Sequence, residues 1–116
     1  MKSRFHQPVP ELPVSDVVKS QTFYRDKLGF EIAWTDPTKS IGAVNKDEAV
    51  IFLRRQQQVF PNTIWIFVDN VDSTYEEFVA ASITISEPIE TKPLGIRQFA
   101  IKDPDGNKFI FHHDVP

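Results

Sequence analysis

The sequence predicts an α+β fold made of two βαβββ modules. The order strand, helix, three strands occurs twice along the 116 residues. Equivalent positions recur at fixed spacing. An offset of 54 residues relates Val14 to Val68, Val17 to Val71, Ser20 to Thr74 and Tyr24 to Phe78, and one of 58 relates Phe52 to Ile110 and Leu53 to Phe111. A strong turn, Asp103-Pro104-Asp105-Gly106-Asn107, joins the last two strands, with Pro fixing one backbone angle and Gly or Asn accepting positive φ.

The first module spans about residues 5–55. Gln7 to Val14 is expected to be an edge strand, because Pro8, Pro10 and Pro13 lack the donor a central strand needs. Ser15 and Asp16 offer oxygens to cap a helix whose apolar stripe is Val17, Ser20, Phe23/Tyr24 and Leu28. Gly29 stands where a left-handed C-terminal cap belongs. Phe30, Ile32 and Trp34 alternate with Glu31 and Ala33 as in a strand. After the turn Asp36 to Lys39, Ile41–Val44 and Ala49–Arg54 form two strands around the polar hairpin Asn45 to Glu48.

A polar linker, Arg55 to Gln58 with Pro61 and Asn62, leads to the second module, about 62–114. Thr63–Val68 is expected to be a strand. Asp69 or Asn70 caps a helix that buries Val71, Tyr75, Phe78 and Val79. Ile83 and Ile85 point to a short strand, and Arg97–Lys102 and Lys108–His112 to the final two.

Composition narrows the function. A net charge of −3 without a basic cluster excludes the usual footprint of a nucleic-acid partner. The absence of cysteine excludes disulfides, thiolate metal sites and a thiol nucleophile. No apolar run approaches the ~20 residues of a membrane span. Met1 to Arg4 do not open a signal peptide, so a cytoplasmic protein is expected. There is no Ser–His–Asp order and no glycine-rich phosphate loop.

Leu12-Pro13-Val14-Ser15-Asp16, Phe23-Tyr24, Leu28-Gly29-Phe30, Gly95-Ile96-Arg97-Gln98-Phe99 and Asp103 to Asn107 together resemble the glyoxalase/bleomycin-resistance/dioxygenase superfamily of vicinal oxygen chelate proteins. The likeness spans almost the whole chain and is nearest to the bleomycin-resistance-like branch. It implies two modules whose curved mixed sheets enclose a cup, with the helices outside. It also implies a homodimer, since relatives of this size build their cups between two chains. In metal-using relatives four cup-facing side chains hold a divalent ion. Those positions here are Val9, Phe52, Thr63 and Ile110. None supplies a carboxylate or imidazole, so no metal or other cofactor is expected.

Strand alternation extends the cup-facing set to Glu11, Arg54, Trp65, Phe67 and His112. The expected ligand-binding residues are therefore Phe52, Arg54, Thr63, Trp65, Phe67, Ile110, His112 and Glu11, with no catalytic residue. Ile51, Leu53, Ile64, Ile66, Phe109 and Phe111 occupy the opposite faces, which suits packing under the helices. Trp65 points to a pocket, because its N–H needs a partner. For Phe67, pocket lining and core filling are equal alternatives. His112 and His113 are adjacent on a strand and point to opposite faces, which argues for a solvated chain end over a metal site; His6 is expected at the surface. Arg97 shares the face of Phe99 and Ile101, so it serves either an ion pair or a ligand.

These expectations describe a metal-free protein that binds a small aromatic or cationic compound, such as an antibiotic, and sequesters it. The rival is a metal-dependent lyase or dioxygenase of the same superfamily.

Overall fold

A computed structural model describes residues 2–116. Module 1 comprises β1 (Glu11–Val14), α1 (Val17–Leu28), β2 (Glu31–Thr35), β3 (Ile41–Lys46) and β4 (Ala49–Arg55). Module 2 comprises β5 (Thr63–Phe67), α2 (Val71–Ala80), β6 (Glu87–Thr91), β7 (Ile96–Lys102) and β8 (Lys108–Asp114). Each module is an open four-stranded mixed sheet. The strand orders are β1-β4-β3-β2 and β5-β8-β7-β6, with β1 parallel to β4 and β5 parallel to β8. The α+β class and the repeat are thus as the sequence predicts.

Local chemistry sets the boundaries. Asp16 caps α1 by accepting from the Lys19 amide at 3.0 Å, and Gly29 ends it at φ 75°. Asn70 caps α2 through the Ser73 amide. The first strand is shorter than expected and begins only at Glu11. Pro8 and Pro10 each lack a donor, so regular pairing starts at Glu11, with the Pro10 carbonyl accepting from the Phe52 amide at 3.0 Å just before it. Ile83 and Ile85 are not a strand either. The amides of Ser82 and Ile83 still bond back to the carbonyls of Val79 and Phe78 as α2 ends. Sheet pairing starts at Ser86, whose amide donates to Ala100, and β6 follows. On α2, Val71 and Phe78 are buried and Tyr75 packs at the core's edge, but Val79 is exposed. Ten residues allow one narrow buried stripe, and Val79 lies beside it.

The core lies between each sheet and its helix. It contains Leu12, Val17, Tyr24, Leu28, Ile51 and Leu53 from module 1, and Val71, Phe78, Phe99, Phe109 and Phe111 from module 2. The two halves meet where the β7–β8 turn reaches β1 and α1. There the Tyr24 hydroxyl donates to Asp103 Oδ2 at 2.6 Å, and Asn107 Nδ2 donates to the Pro13 carbonyl at 2.8 Å. The Ser15 amide donates to Asp105, and the Tyr24 ring packs edge-on to Phe109. Burial, reinforced by the neighbouring Asp103 carboxylate, pushes the Tyr24 phenol far above its usual range. Burial likewise raises the Asp103 carboxyl, opposed by bonds from Tyr24 and Asn107.

The molecule measures 47 × 45 × 24 Å with a radius of gyration of 15.1 Å. A closed domain of this length has a radius near ~13 Å. The excess is the signature of two sheets that each leave one face bare.

Candidate ligand-binding site

Strand pairing fixes which side chains share the bare faces. In module 1, Glu11 pairs with Phe52, Phe52 with Ala43, and Ala43 with Trp34. In module 2, Trp65 pairs with Ile110, Ile110 with Ala100, and Ala100 with Glu87. These two rows are equivalent across the repeat: Glu11 and Trp65 are 54 residues apart, and Phe52 and Ile110 are 58 apart. The next row in module 2 is Phe67, His112, Gln98 and Glu90. Both modules place a fully buried alanine, Ala43 or Ala100, mid-row. A methyl group there keeps the floor low between taller neighbours.

In module 1 aromatic rings flank Ala43, whereas in module 2 Ala100 lies between Ile110 and Glu87 and the rings stand beyond Ile110. Trp34 meets Phe52 edge-on, with ring centroids 5.3 Å apart. Trp65 and Phe67 both present edges to His112, at 5.5 and 5.7 Å. Such contacts are favourable at these separations. Yet Trp34, Trp65 and Phe67 remain 43%, 54% and 60% exposed. Trp65 and Phe67 therefore do not fill a core within the chain. Ile110 is buried beneath them, Thr63 is exposed at the row end, and Val9 is exposed in the segment before β1.

The charged candidates are mutually paired. Arg54 Nε donates to Glu11 Oε1 at 2.8 Å, with both side chains about half exposed. Lys108 pairs with Glu87, and Lys92 with Glu90. The edges of the bare faces are thus locally near neutral. Arg97 points to the helix side, where its guanidinium grips Asp72 at the start of α2, with contacts of 2.8–3.1 Å. That bond holds the Asp72 carboxyl below its usual range. Of the two roles open to Arg97, the structure shows the ion pair.

The two histidines depart from the solvated chain end. β8 runs on to Asp114, so both lie within a paired strand. They do face opposite ways. His113 Nδ1 accepts from the Val71 amide at 2.9 Å, capping α2 from outside. His112 stands among Trp65, Phe67 and Gln98, and its buried Nδ1 has no hydrogen-bond partner among the described residues. His6 is exposed, as expected.

Two lining residues are missing from the expected set, and only the first of them breaks strand alternation. Phe30, Ile32 and Trp34 look like one face in the sequence. A bulge between Ile32 and Trp34 changes this: Ile32 pairs with buried Val44 on the helix side, whereas Trp34 pairs with Ala43 on the bare face. Gln98, 8% exposed, sits beside His112; alternation puts it opposite Arg97 and Phe99, and the β7–β8 register gives its neighbour.

The model of the Glyoxalase/Bleomycin resistance protein/Dioxygenase superfamily matches residues 4–111. The chain belongs to this superfamily. Solved structures agree on the fold. A bleomycin-binding protein from bleomycin-producing Streptomyces verticillus, complexed with copper(II)-bleomycin, is 25% identical with a TM-score of 0.81 over 99% of both chains. A bleomycin resistance determinant encoded on the transposon Tn5 is 19% identical with a TM-score of 0.84, covering 95% of this chain and 98% of that one. Lactoylglutathione lyase from Agrobacterium tumefaciens is 19% identical with a TM-score of 0.78, covering 95% of each. No curated protein sequence matches the chain.

Superfamily membership raises the question of a divalent metal, and the donor set answers it. Val9, Phe52 and Ile110 offer no lone pair, and the Thr63 hydroxyl is a weak ligand by itself. Glu11, the nearest carboxylate, is bonded to Arg54. Among the described residues no group of three His, Asp or Glu side chains is placed to hold a metal ion. These residues do not fit a resident metal.

Proposed function

We propose that this chain is a metal-free binding protein that sequesters a small planar aromatic compound, in the manner of bleomycin-resistance proteins. The observation that carries the reading is the set of aromatic rings on the bare faces of the two sheets: Trp34, Trp65 and Phe67, exposed, and Phe52, half-buried against Trp34. Such rings stack on heteroaromatic groups and attract cations through their π faces. The cation–π route is the more natural one for a positively charged ligand, because the rim carboxylates Glu11, Glu87 and Glu90 already hold Arg54, Lys108 and Lys92. Phe52, Arg54, Thr63, Trp65, Phe67, Ile110, His112 and Glu11 form the site, joined by Trp34 and Gln98. The likeness to a protein complexed with copper(II)-bleomycin supports a ligand of that kind.

The working unit is a homodimer, acting in the cytoplasm. Exposed apolar side chains on the bare faces of both sheets mark an interaction surface, and a second copy laid on them turns two open sheets into closed cups. The test is titration with copper(II)-bleomycin and with metal-free bleomycin, following tryptophan fluorescence, alongside sedimentation. Saturable quenching by a dimer is expected. No response to these or to other cationic heteroaromatic compounds, or a monomer at micromolar concentration, overturns the corresponding part. Stoichiometric metal after purification would instead favour a lyase or dioxygenase.

A further inference from the structure

Gln21 is a buried polar residue in the middle of α1, 2% exposed. Its amide has a complete set of partners on the sheet below. Nε2 donates to the Trp34 carbonyl at 2.9 Å and to the Ala43 carbonyl at 3.3 Å, while Oε1 accepts from the Thr35 hydroxyl at 2.8 Å. Two carbonyl acceptors and one hydroxyl fix the orientation of the amide, because only its nitrogen can face the carbonyls. All three partners belong to the bulged stretch of the β2–β3 pair or its immediate neighbours. Gly42, paired with Thr35, leaves the room. A Cβ there would lie 2.5 Å from Gln21 Nε2.

That bulge decides where Trp34 points. A regular strand would put Ile32 and Trp34 on one face. The bulge at Ala33 sends Ile32 to the helix side and Trp34 to the bare face, edge-on to Phe52. A bulge disrupts the local ladder and leaves backbone groups in need of partners. Gln21 supplies them from behind the sheet. We infer that Gln21 is a positioning residue for the ligand site, holding the Trp34 bulge through its bonds to Trp34, Ala43 and Thr35. Gln21 itself faces away from the ligand. The consequence for binding rests on the function proposed above; the control of Trp34 does not.

The experiment separates the two. In a Trp65→Phe background Trp34 is the sole tryptophan, and in Trp34→Phe it is Trp65, each excited selectively over the two tyrosines. Gln21→Leu removes all three bonds, and Thr35→Val removes one and is the milder variant. Without ligand, both are expected to raise acrylamide quenching of Trp34 and lower its anisotropy, with Trp65 unchanged. Gln21→Glu, which keeps an acceptor for Thr35 but sets a buried carboxylate oxygen against the Trp34 and Ala43 carbonyls, should disturb Trp34 at least as much as Gln21→Leu. A folded Gln21→Leu or Thr35→Val protein with an unaltered Trp34 signal overturns the inference, as does an equal change at Trp65. With copper(II)-bleomycin, Gln21→Leu should weaken binding about tenfold, or about 1.4 kcal/mol, and should have no further effect once Trp34 is alanine. Additive losses in that pair would refute action through Trp34. If the wild type ignores the probe, the binding function fails while the ligand-free readout still decides the role of Gln21.

Discussion

Replacing Tyr24 by phenylalanine tests how the two modules are joined. The Tyr24 side chain is fully buried, and its hydroxyl lies 2.6 Å from Asp103 Oδ2. Asp103 also accepts from the Asn107 side chain and from the amides of Asp105 and Asn107. The substitution removes one donor from a buried carboxyl and nothing else of any size. A hydrogen bond to a charged group contributes about 1.5–3 kcal/mol, so a loss of about 2 kcal/mol is expected at neutral pH. For a domain of this length that lowers Tm by about 8 °C. The loss also depends on pH in a definite direction. Burial already raises the folded-state pKa of Asp103, and the Tyr24 bond opposes the rise. A raised carboxyl makes stability fall as pH climbs through the folded value. Without Tyr24 that value rises further, so the difference between variant and wild type should shrink as pH falls into the carboxylate range. Urea unfolding at several pH values, with unchanged m, measures this. A loss below about 0.5 kcal/mol at neutral pH, or one that grows on acidification, would refute the account, since a typical neutral bond already contributes that much.

Further outcomes follow from the same geometry. Asp16→Ala and Asn70→Ala should each cost about 1 kcal/mol in urea unfolding, because each removes the oxygen that caps a helix. Asp36 is held well below the usual carboxylate range by the Thr38 hydroxyl and by the amides of Ile41, Ser40 and Thr38. Its contribution is complete above the unfolded carboxylate value, near ~4, and is lost as pH falls below it. Asp36→Ala should therefore flatten the acid limb of the stability profile, read by melting temperature between neutral and acid pH. Trp65→Ala with Phe67→Ser should leave the melting transition of the single chain nearly intact, because both rings are largely exposed. It should shift sedimentation toward the monomer.

Much of this architecture is legible in the sequence, because side-chain period and turn chemistry are local signals. Asp16, Gly29, Asn70 and the Asp103 turn each satisfy orphan backbone groups within a few residues. The bare-face pairs Glu11–Phe52 and Trp65–Ile110 follow from a strict two-residue alternation in each module, and the pairings reproduce them. What alternation cannot carry is a break in itself. Trp34 is misassigned by any period-two reading, since the bulge at Ala33 is created by a glutamine twelve positions before it, on another element. β6 is displaced from Ile83 and Ile85 for a similar reason. Those isoleucines are apolar because they pack on the core after the helix, not because they pair in the sheet. His112 and His113 look like a solvated end because the strands that hold them, β7 for both and the sequence-remote β5 for His112, are not visible in their local sequence.

The repeat also explains why the two ends of the module junction differ. Tyr24 corresponds to Phe78 at the 54-residue offset, and the strand pairings place Asp103 and Asn107 opposite the roles of Lys46 and Ala49. One junction thus has a hydroxyl, a carboxylate and an amide that complete one another. The other has a phenyl ring, an ammonium and a methyl group, which have no bonds to exchange. Where the network exists, the β7–β8 turn lies against β1 and α1. Where it does not, a cleft of about 940 Å³ stays open between the Lys46–Ala49 turn, the start of α2 and Phe78. A buried polar network lowers free energy only when every member is present. Adding a tyrosine at Phe78 alone would place a hydroxyl in the open cleft without the carboxylate and amide that complete the Tyr24 network, and should not close it. The orientation of the modules is therefore set at one junction, by the bonds of Asp103, Asp105 and Asn107, and not shared between two.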